Sequence, residues 1–148
     1  MTQVYQFPKK KTRAVKVSAF TKARLTAQVE EPIGLVQGII PDSRQEWYVA
    51  RALWILKIGF YYQYPIAGGK TVRGGQVIDF YVNTVPLPTP VLVQGTYWHR
   101  PAKRVEDLYK IEKIKQILSG KANDPVELPE TELQSVDDAI KSIRRRVL

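Results

Sequence analysis

Gly74-Gly75-Gln76-Val77-Ile78-Asp79-Phe80-Tyr81-Val82 is followed, after a proline-punctuated crossing, by Val91-Leu92-Val93-Gln94-Gly95-Thr96-Tyr97-Trp98-His99. Five of the six residues Val77–Val82 are apolar or aromatic, which suits a mostly buried strand. Asp79 in its middle is costly unless it is paired, hydrogen-bonded or bound to a metal. The alternative is an edge strand that turns Asp79 to solvent. Val91–Gln94 predicts a second short strand, ending in an amide whose carbonyl oxygen suits a hard cation such as Mg²⁺. Gly95 permits a bend or a close backbone approach. His99, the only histidine, titrates near neutral pH and is equipped to act as a general base or to donate to a phosphate. A lone histidine after an aromatic pair is otherwise packed or surface-exposed. Pro86, Pro88 and Pro90 stiffen the crossing Val85–Pro90 and argue against strand pairing within it.

Upstream, Phe60–Tyr64 reads as a short aromatic strand and Gly68-Gly69-Lys70 as a turn. Gly69-Lys70-Thr71 imitates the end of a phosphate-cradling loop, but the earlier glycine and a following helix are missing. Tyr61, Tyr62, Tyr64 and Tyr81 have the ring faces to stack on bases, and are more simply core or flank residues of strands. Before them, Asp42 or Ser43 caps a helix running to about Lys57, with Glu46 in the first turn. Val49, Leu53 and Leu56 fall at helical spacing, with Trp47, Ala50 and Trp54 beside them. Glu46 lies three residues before Val49, on or near that stripe, so it is either hydrogen-bonded at the helix end or borders a site. Pro32–Pro41 is a connection. The first 24 residues carry seven lysines and arginines and no acid, as a solvated arm or a phosphate-contacting one would.

Downstream, a helix is expected over about Lys103–Leu118, with Val105, Leu108, Ile111 and Leu118 on one apolar face supplemented by Ile114 and Ile117. Gly120 ends it, and Val126-Glu127-Leu128 suggests a last short strand. Ser135 and Asp138 form the cap of a final helix whose Ala139, Ile140, Ile143 and Val147 face inward. Lys141 and Arg144–Arg146 load that helix with positive charge near its C-terminus. The order helix, strands, helix, short strand, helix predicts an α/β domain: a small mixed sheet flanked by helices. Residues 1–30 form a basic N-terminal arm, and residues 31–148 the domain.

A chain of 148 residues, 44% of them hydrophobic, suffices for one core. The absence of cysteine excludes disulfides and thiolate zinc sites. The longest apolar run, Ala52–Tyr62, is broken by Lys57 and Gly59 and too short to span a bilayer; no signal-peptide core follows the N-terminus. A cytoplasmic protein without a membrane partner is expected. Twenty-three basic against fourteen acidic side chains give a net charge of +9, which favours a polyanion, chiefly nucleic acid. One Mg²⁺ held by Asp79, with Glu46 reaching it directly or through water, would serve phosphodiester hydrolysis. Lys103, Arg104 and Lys110 are candidates to offset charge on the phosphate.

These pieces resemble the restriction-endonuclease-like superfamily, the PD-(D/E)xK nucleases, in which an early helix carries a Glu, a hairpin carries the metal-binding Asp, and the next strand an acid-x-Lys pair. Glu46 matches the helix acid and Gly74–Phe80 the Asp-bearing strand. Gln94-Gly95-Thr96-Tyr97-Trp98-His99 is similar to the strand ending of phage and bacterial members related to very-short-patch repair endonucleases. Arg104, Asp107 and Lys110 fit the helix that follows. The likeness covers roughly Arg44–Leu148. Leu92 stands where the second acid would, Gln94 replaces the usual lysine, and the Pro of the signature has no counterpart before Asp79.

The resemblance implies a restriction-endonuclease-like fold and a metal-dependent DNA endonuclease, active in a bacterial cell or phage-infected host. Its catalytic set would be Glu46, Asp79, Gln94, His99 and Lys110, with Mg²⁺, or Mn²⁺ in its place, on Asp79, Glu46 and Gln94. The substrate would be duplex or branched DNA. Nucleases of this shape often act as homodimers, whereas repair enzymes act alone. The alternative is a catalytically weak or inactive DNA-binding or architectural protein on the same fold, which the Leu92 and Gln94 departures motivate.

Overall fold

Ser43 starts the first helix: its hydroxyl accepts the Glu46 N–H at 3.2 Å, satisfying one of the amides that a helix N-terminus leaves without a partner. The computed structural model describes residues 33–95 and 101–148, and within them helix α1 spans Arg44–Ile55. Strands β1 (Phe60–Ile66), β2 (Gln76–Val82) and β3 (Thr89–Gln94) follow, then helix α2 (Pro101–Ile117) and strand β4 (Val126–Pro129). A 3-10 turn, Glu130–Glu132, leads into helix α3 (Val136–Arg146), where the Ser135 hydroxyl accepts the Asp138 N–H at 3.1 Å. The 1–30 arm and Thr96–His99 lie outside the described residues.

Among the described residues the fold is mixed α/β: a four-stranded sheet in the order β1-β2-β3-β4, with three helices. β1 and β2, and β2 and β3, pair antiparallel, and β4 lies parallel to β3, with α2 as the crossover between them. β2 therefore has a partner on each side, which removes the edge-strand reading of Asp79.

Two apolar layers hold the sheet. In the larger, Val49 and Leu53 of α1 and Ala139 and Ile143 of α3 pack with Phe60, Tyr62, Phe80, Val82, Val91 and Leu128. In the smaller, Ile114 of α2 packs with Ile66, Ile78 and Leu92, flanked by Ile111, Ile117 and Leu118. The β1–β2 hairpin passes from one layer to the other along its length. Phe60 and Tyr62 belong to the first and Tyr64 and Ile66 to the second, while Phe80 belongs to the first and Ile78 to the second. The change falls at the facing positions Gln63 and Asp79, and Gln63 takes a left-handed φ of 54° there. Glu132 ties the chain after β4 to α3, accepting from Arg145 at 2.7 Å, Arg146 at 2.7 and 3.0 Å, and Ser142 at 3.1 Å.

Two expectations need correction. Thr89 and Pro90 are part of β3, opposite Val82 and Tyr81. Pairing with β4 begins only at Val91, so the proline sits outside the stretch bonded on both sides, where its missing N–H is tolerated. In α2, Val105 and Leu108 point outward, 66% and 46% exposed, while Asp107 is buried. The first half of that helix turns Arg104, Asp107 and Lys110, rather than its apolar residues, toward the protein.

Candidate functional site

The ladder between β2 and β3 pairs Phe80 with Val91, Tyr81 with Pro90 and Val82 with Thr89. Further along β3, the Val93 N–H donates to the side chain of Asp79, reaching Oδ2 at 2.9 Å. The carboxylate takes over where the paired residues end. This is why an acid can occupy the centre of an apolar strand: its burial is offset by a backbone donor that would otherwise lose its own partner.

Glu46 approaches from the first turn of α1. It is 7% exposed, and its Oε1 accepts the hydroxyl of Tyr62 on β1. That hydroxyl in turn accepts the Asp42 N–H at 3.2 Å, so the residue before the cap and the neighbouring strand together fix the carboxylate. The two alternatives for Glu46 are both realised: it is hydrogen-bonded, and it borders a cleft.

The cleft, about 230 Å³, lies between the middle of β2, the C-terminal end of β3 and helix α2. Glu46, Asp79 and Gln94 line it from α1, β2 and β3, and Leu92 and Val93 contribute its apolar part. Lys103, Asp107 and Lys110 line it from α2, and their i, i+4, i+7 spacing puts all three on one helix face. Lys103 Nζ stands 3.6 Å from Asp107 Oδ1. Arg104 leaves this face, pairing through its guanidinium with Glu127 of β4, with Nη2 3.3 Å from Oε2.

The electrostatics reflect two carboxylates sharing a partly dry space. Burial pushes the Glu46 carboxyl up to about 7, and the charge of Asp79 adds to the rise; the Tyr62 hydrogen bond and Lys110 oppose it, while Asp42 reinforces it. Asp79 is also raised, first by burial, with the Val93 N–H and Lys110 opposing and Asp42 and Asp107 reinforcing. Tyr62 is raised by burial and by its bond to Glu46, so it remains a donor at any physiological pH.

The structure thus brings together four of the five residues singled out from the sequence, Glu46, Asp79, Gln94 and Lys110. His99 is outside the described residues. Two side chains of the site are not singled out as site residues by the sequence, where Asp107 only fits the helix of the resembled family. Asp107 is 7% exposed in the cleft wall, and its signal was available as the Lys103, Asp107, Lys110 spacing. Tyr62, read as a core aromatic, also orients Glu46; nothing in its local sequence gives that away, because the contact spans 16 positions.

Among the described residues no group of three His, Cys, Asp or Glu side chains is arranged to hold a metal ion. Glu46, Asp79 and Gln94, which line the cleft, each carry side-chain oxygens, the donor type that suits Mg²⁺, which keeps several waters and needs few protein ligands. No family model, curated protein or solved structure matches the chain.

Proposed function

We propose that the cleft is the active site of a divalent-cation-dependent DNA endonuclease, built on a restriction-endonuclease-like version of the mixed α/β fold. One observation carries this reading: Glu46 and Asp79, from a helix and a strand distant in sequence, line one cleft with Lys110, where burial raises both carboxyls and the charge of Asp79 raises Glu46 further. Such an arrangement is costly for stability and is expected where a cation or a reacting phosphate balances it.

Glu46, Asp79 and Gln94 would hold the cation, Mg²⁺ or Mn²⁺. When bound, it supplies charge neutralisation and a more acidic water. The chain's own residues do the rest. The Val93 N–H holds Asp79, and Tyr62 holds Glu46, so neither carboxylate has to reorganise when the substrate arrives. Lys103 and Lys110 stand on the helix face opposite, where ammonium groups offset the charge that builds on the phosphate oxygens during in-line displacement. Asp107 restrains Lys103 through their 3.6 Å ion pair. His99 would take the remaining proton-handling role. The basic balance of +9 supports a polyanionic substrate.

A DNA-binding protein with weak or no cleavage is the second reading. Leu92 favours it: the side chain is 1% exposed and packs with Ile66, Ile78 and Ile114, so β3 offers no second carboxylate. The test is cleavage of supercoiled plasmid and of branched duplex by the pure protein in Mg²⁺ or Mn²⁺, beside Asp79→Asn. Nicking by the wild type that vanishes in the variant supports the enzyme. Duplex binding with no cleavage, and no calorimetric uptake of either cation, supports the binding protein.

A further inference from the structure

The turn between β1 and β2 carries a cationic tip that the cleft does not absorb. Residues 67–75 read Ala-Gly-Gly-Lys-Thr-Val-Arg-Gly-Gly, with two cations and no acid. Lys70, Thr71, Val72 and Arg73 are all exposed, and neither Lys70 nor Arg73 has an ion-pair partner among the described residues. A hairpin needs no such display, since two residues suffice to reverse the chain.

The turn is nonetheless wound tightly. The Gly69 N–H donates to Ile66 O at 3.1 Å and the Gly75 N–H to Val72 O at 2.8 Å. A side chain on Gly75 would begin 2.1 Å from the Gly69 carbonyl oxygen, and one on Gly68 would lie 2.6 Å from a methyl of Val72. Gly68, Gly69 and Gly74 all have positive φ, which glycine adopts without the cost other residues bear. The glycines therefore close the loop on itself and leave Lys70 through Arg73 as its outer rim. Loose, solvated lysines on a flexible loop would not require that winding.

Its position follows from strand direction. β2 and β3 are antiparallel, so the start of β2, where the turn ends, lies at the same end of the sheet as Gln94. Gln94 lines the cleft, whereas the opposite end of the sheet carries the Val82-to-Thr89 connection. The cationic rim thus projects from the cleft's own end of the molecule.

We propose that the Lys70–Arg73 rim is a DNA-backbone contact, gripping the phosphates of a duplex whose scissile bond lies in the cleft. This rests on the DNA-endonuclease reading, and it assigns substrate grip to a surface separate from the Glu46–Asp79 chemistry. The Gly69-Lys70-Thr71 run is then not a nucleotide-binding loop but a phosphate contact of another kind, made by exposed ammonium and guanidinium groups.

The test compares two charge-matched double variants, Lys70→Gln with Arg73→Gln, and Lys57→Gln with Lys121→Gln. Lys57 precedes β1, and Lys121 lies beside the Asn123 segment that bonds Pro88, so the second pair sits at the far end of the sheet. Binding of a fluorescent duplex is measured from about 50 to about 200 mM salt for both and for wild type. The tip variant is expected to bind roughly tenfold more weakly and to lose about one to two units of salt slope. The distal pair should stay within about twofold of wild type. Single-turnover cleavage at saturating DNA should be unchanged in the distal pair. Wild-type binding by the tip variant, or equal losses in both variants, overturns the proposal. So does a tip variant that loses only its binding to phosphatidylserine vesicles. A wild-type protein that binds no duplex defeats the endonuclease reading itself, seen before any variant is compared, and takes the tip assignment with it.

Discussion

Helices α1 and α2 flank the same sheet and obey opposite rules. α1 buries its apolar stripe: Trp47, Val49, Ala50 and Leu53 are all within 3% of full burial, with Glu46 as the one acid among them. α2 buries Asp107 and Ile114 and leaves Val105, Leu108 and Tyr109 outside, 66%, 46% and 65% exposed. The difference lies in what each helix packs against. α1 meets a continuous apolar layer, whereas the first half of α2 meets a cleft lined with carboxylates, and only its second half reaches apolar side chains at Ile66, Ile78 and Leu92. A helix over a polar cleft gives up apolar burial to present polar groups, and the stability lost there is supplied by the other layer.

The largest effect that could break this contrast is at Asp79. Asp79→Asn should lower Mg²⁺-dependent cleavage by on the order of 10²–10³-fold, as removal of a preorganised charge at a reacting centre does. Duplex affinity and thermal stability should stay near wild type, because the amide oxygen still accepts the Val93 N–H. Normal cleavage by this variant would make the α2-side cleft an ordinary surface feature.

Next in size is a pair of stability measurements. Leu53→Ala should destabilise by about 3 kcal/mol in urea titration, within the range for a fully buried leucine. Leu108→Ala, the same chemical change on α2, should cost no more than about 0.5 kcal/mol. Equal losses would show that α2 packs its apolar side inward after all.

This pair also shows what was legible. The boundaries of α1, β2 and α3 follow from caps and alternation, because Ser43 and Ser135 act locally and buried strands read as apolar runs. Glu46, Asp79 and Gln94 were identifiable as polar groups in or beside apolar stretches, and Lys110 only as one of several basic residues on a helix fitting the resembled family. The facing of α2 was not: periodicity ranks Val105 and Leu108 as core because it assumes that the partner surface is apolar. Pro90 misled for a related reason, since its tolerance depends on where β4 begins, some 36 positions away in Val126. Tyr62 shares that limit, its partner being chosen by the sheet rather than by its neighbours in the chain.

Tyr62→Phe sharpens the comparison inside the site. Tyr62 positions Glu46 and touches no substrate, so its loss should reduce cleavage by roughly tenfold, the worth of one hydrogen bond to a charged group, while ring packing against Phe80 at 5.0 Å persists. A positioning role further requires that the pH profile of cleavage shift with the substitution. A purely structural role would lower the melting temperature and leave the profile in place.

The smallest effect is the dependence of stability on pH without cations. Glu46 has a folded value near 7, above its ordinary 4.5, so between those values the native state holds a proton that the unfolded chain has released. Stability should therefore fall as pH rises from about 4.5 through about 7, by roughly a few degrees in melting temperature. Glu132 works in the other direction and in another window: Arg146 and its neighbours hold it down near 2, so its contribution is present above 4.5 and fades as pH falls toward 2. Glu46→Gln should flatten the first slope and leave the second intact. Melting curves in cation-free buffers from pH 3 to 8 check both, and a first slope that survives Glu46→Gln would move its source away from the cleft. Because Asp79 raises Glu46 more than any other charge, Asp79→Asn should also reduce that slope without abolishing it, since burial is the larger cause.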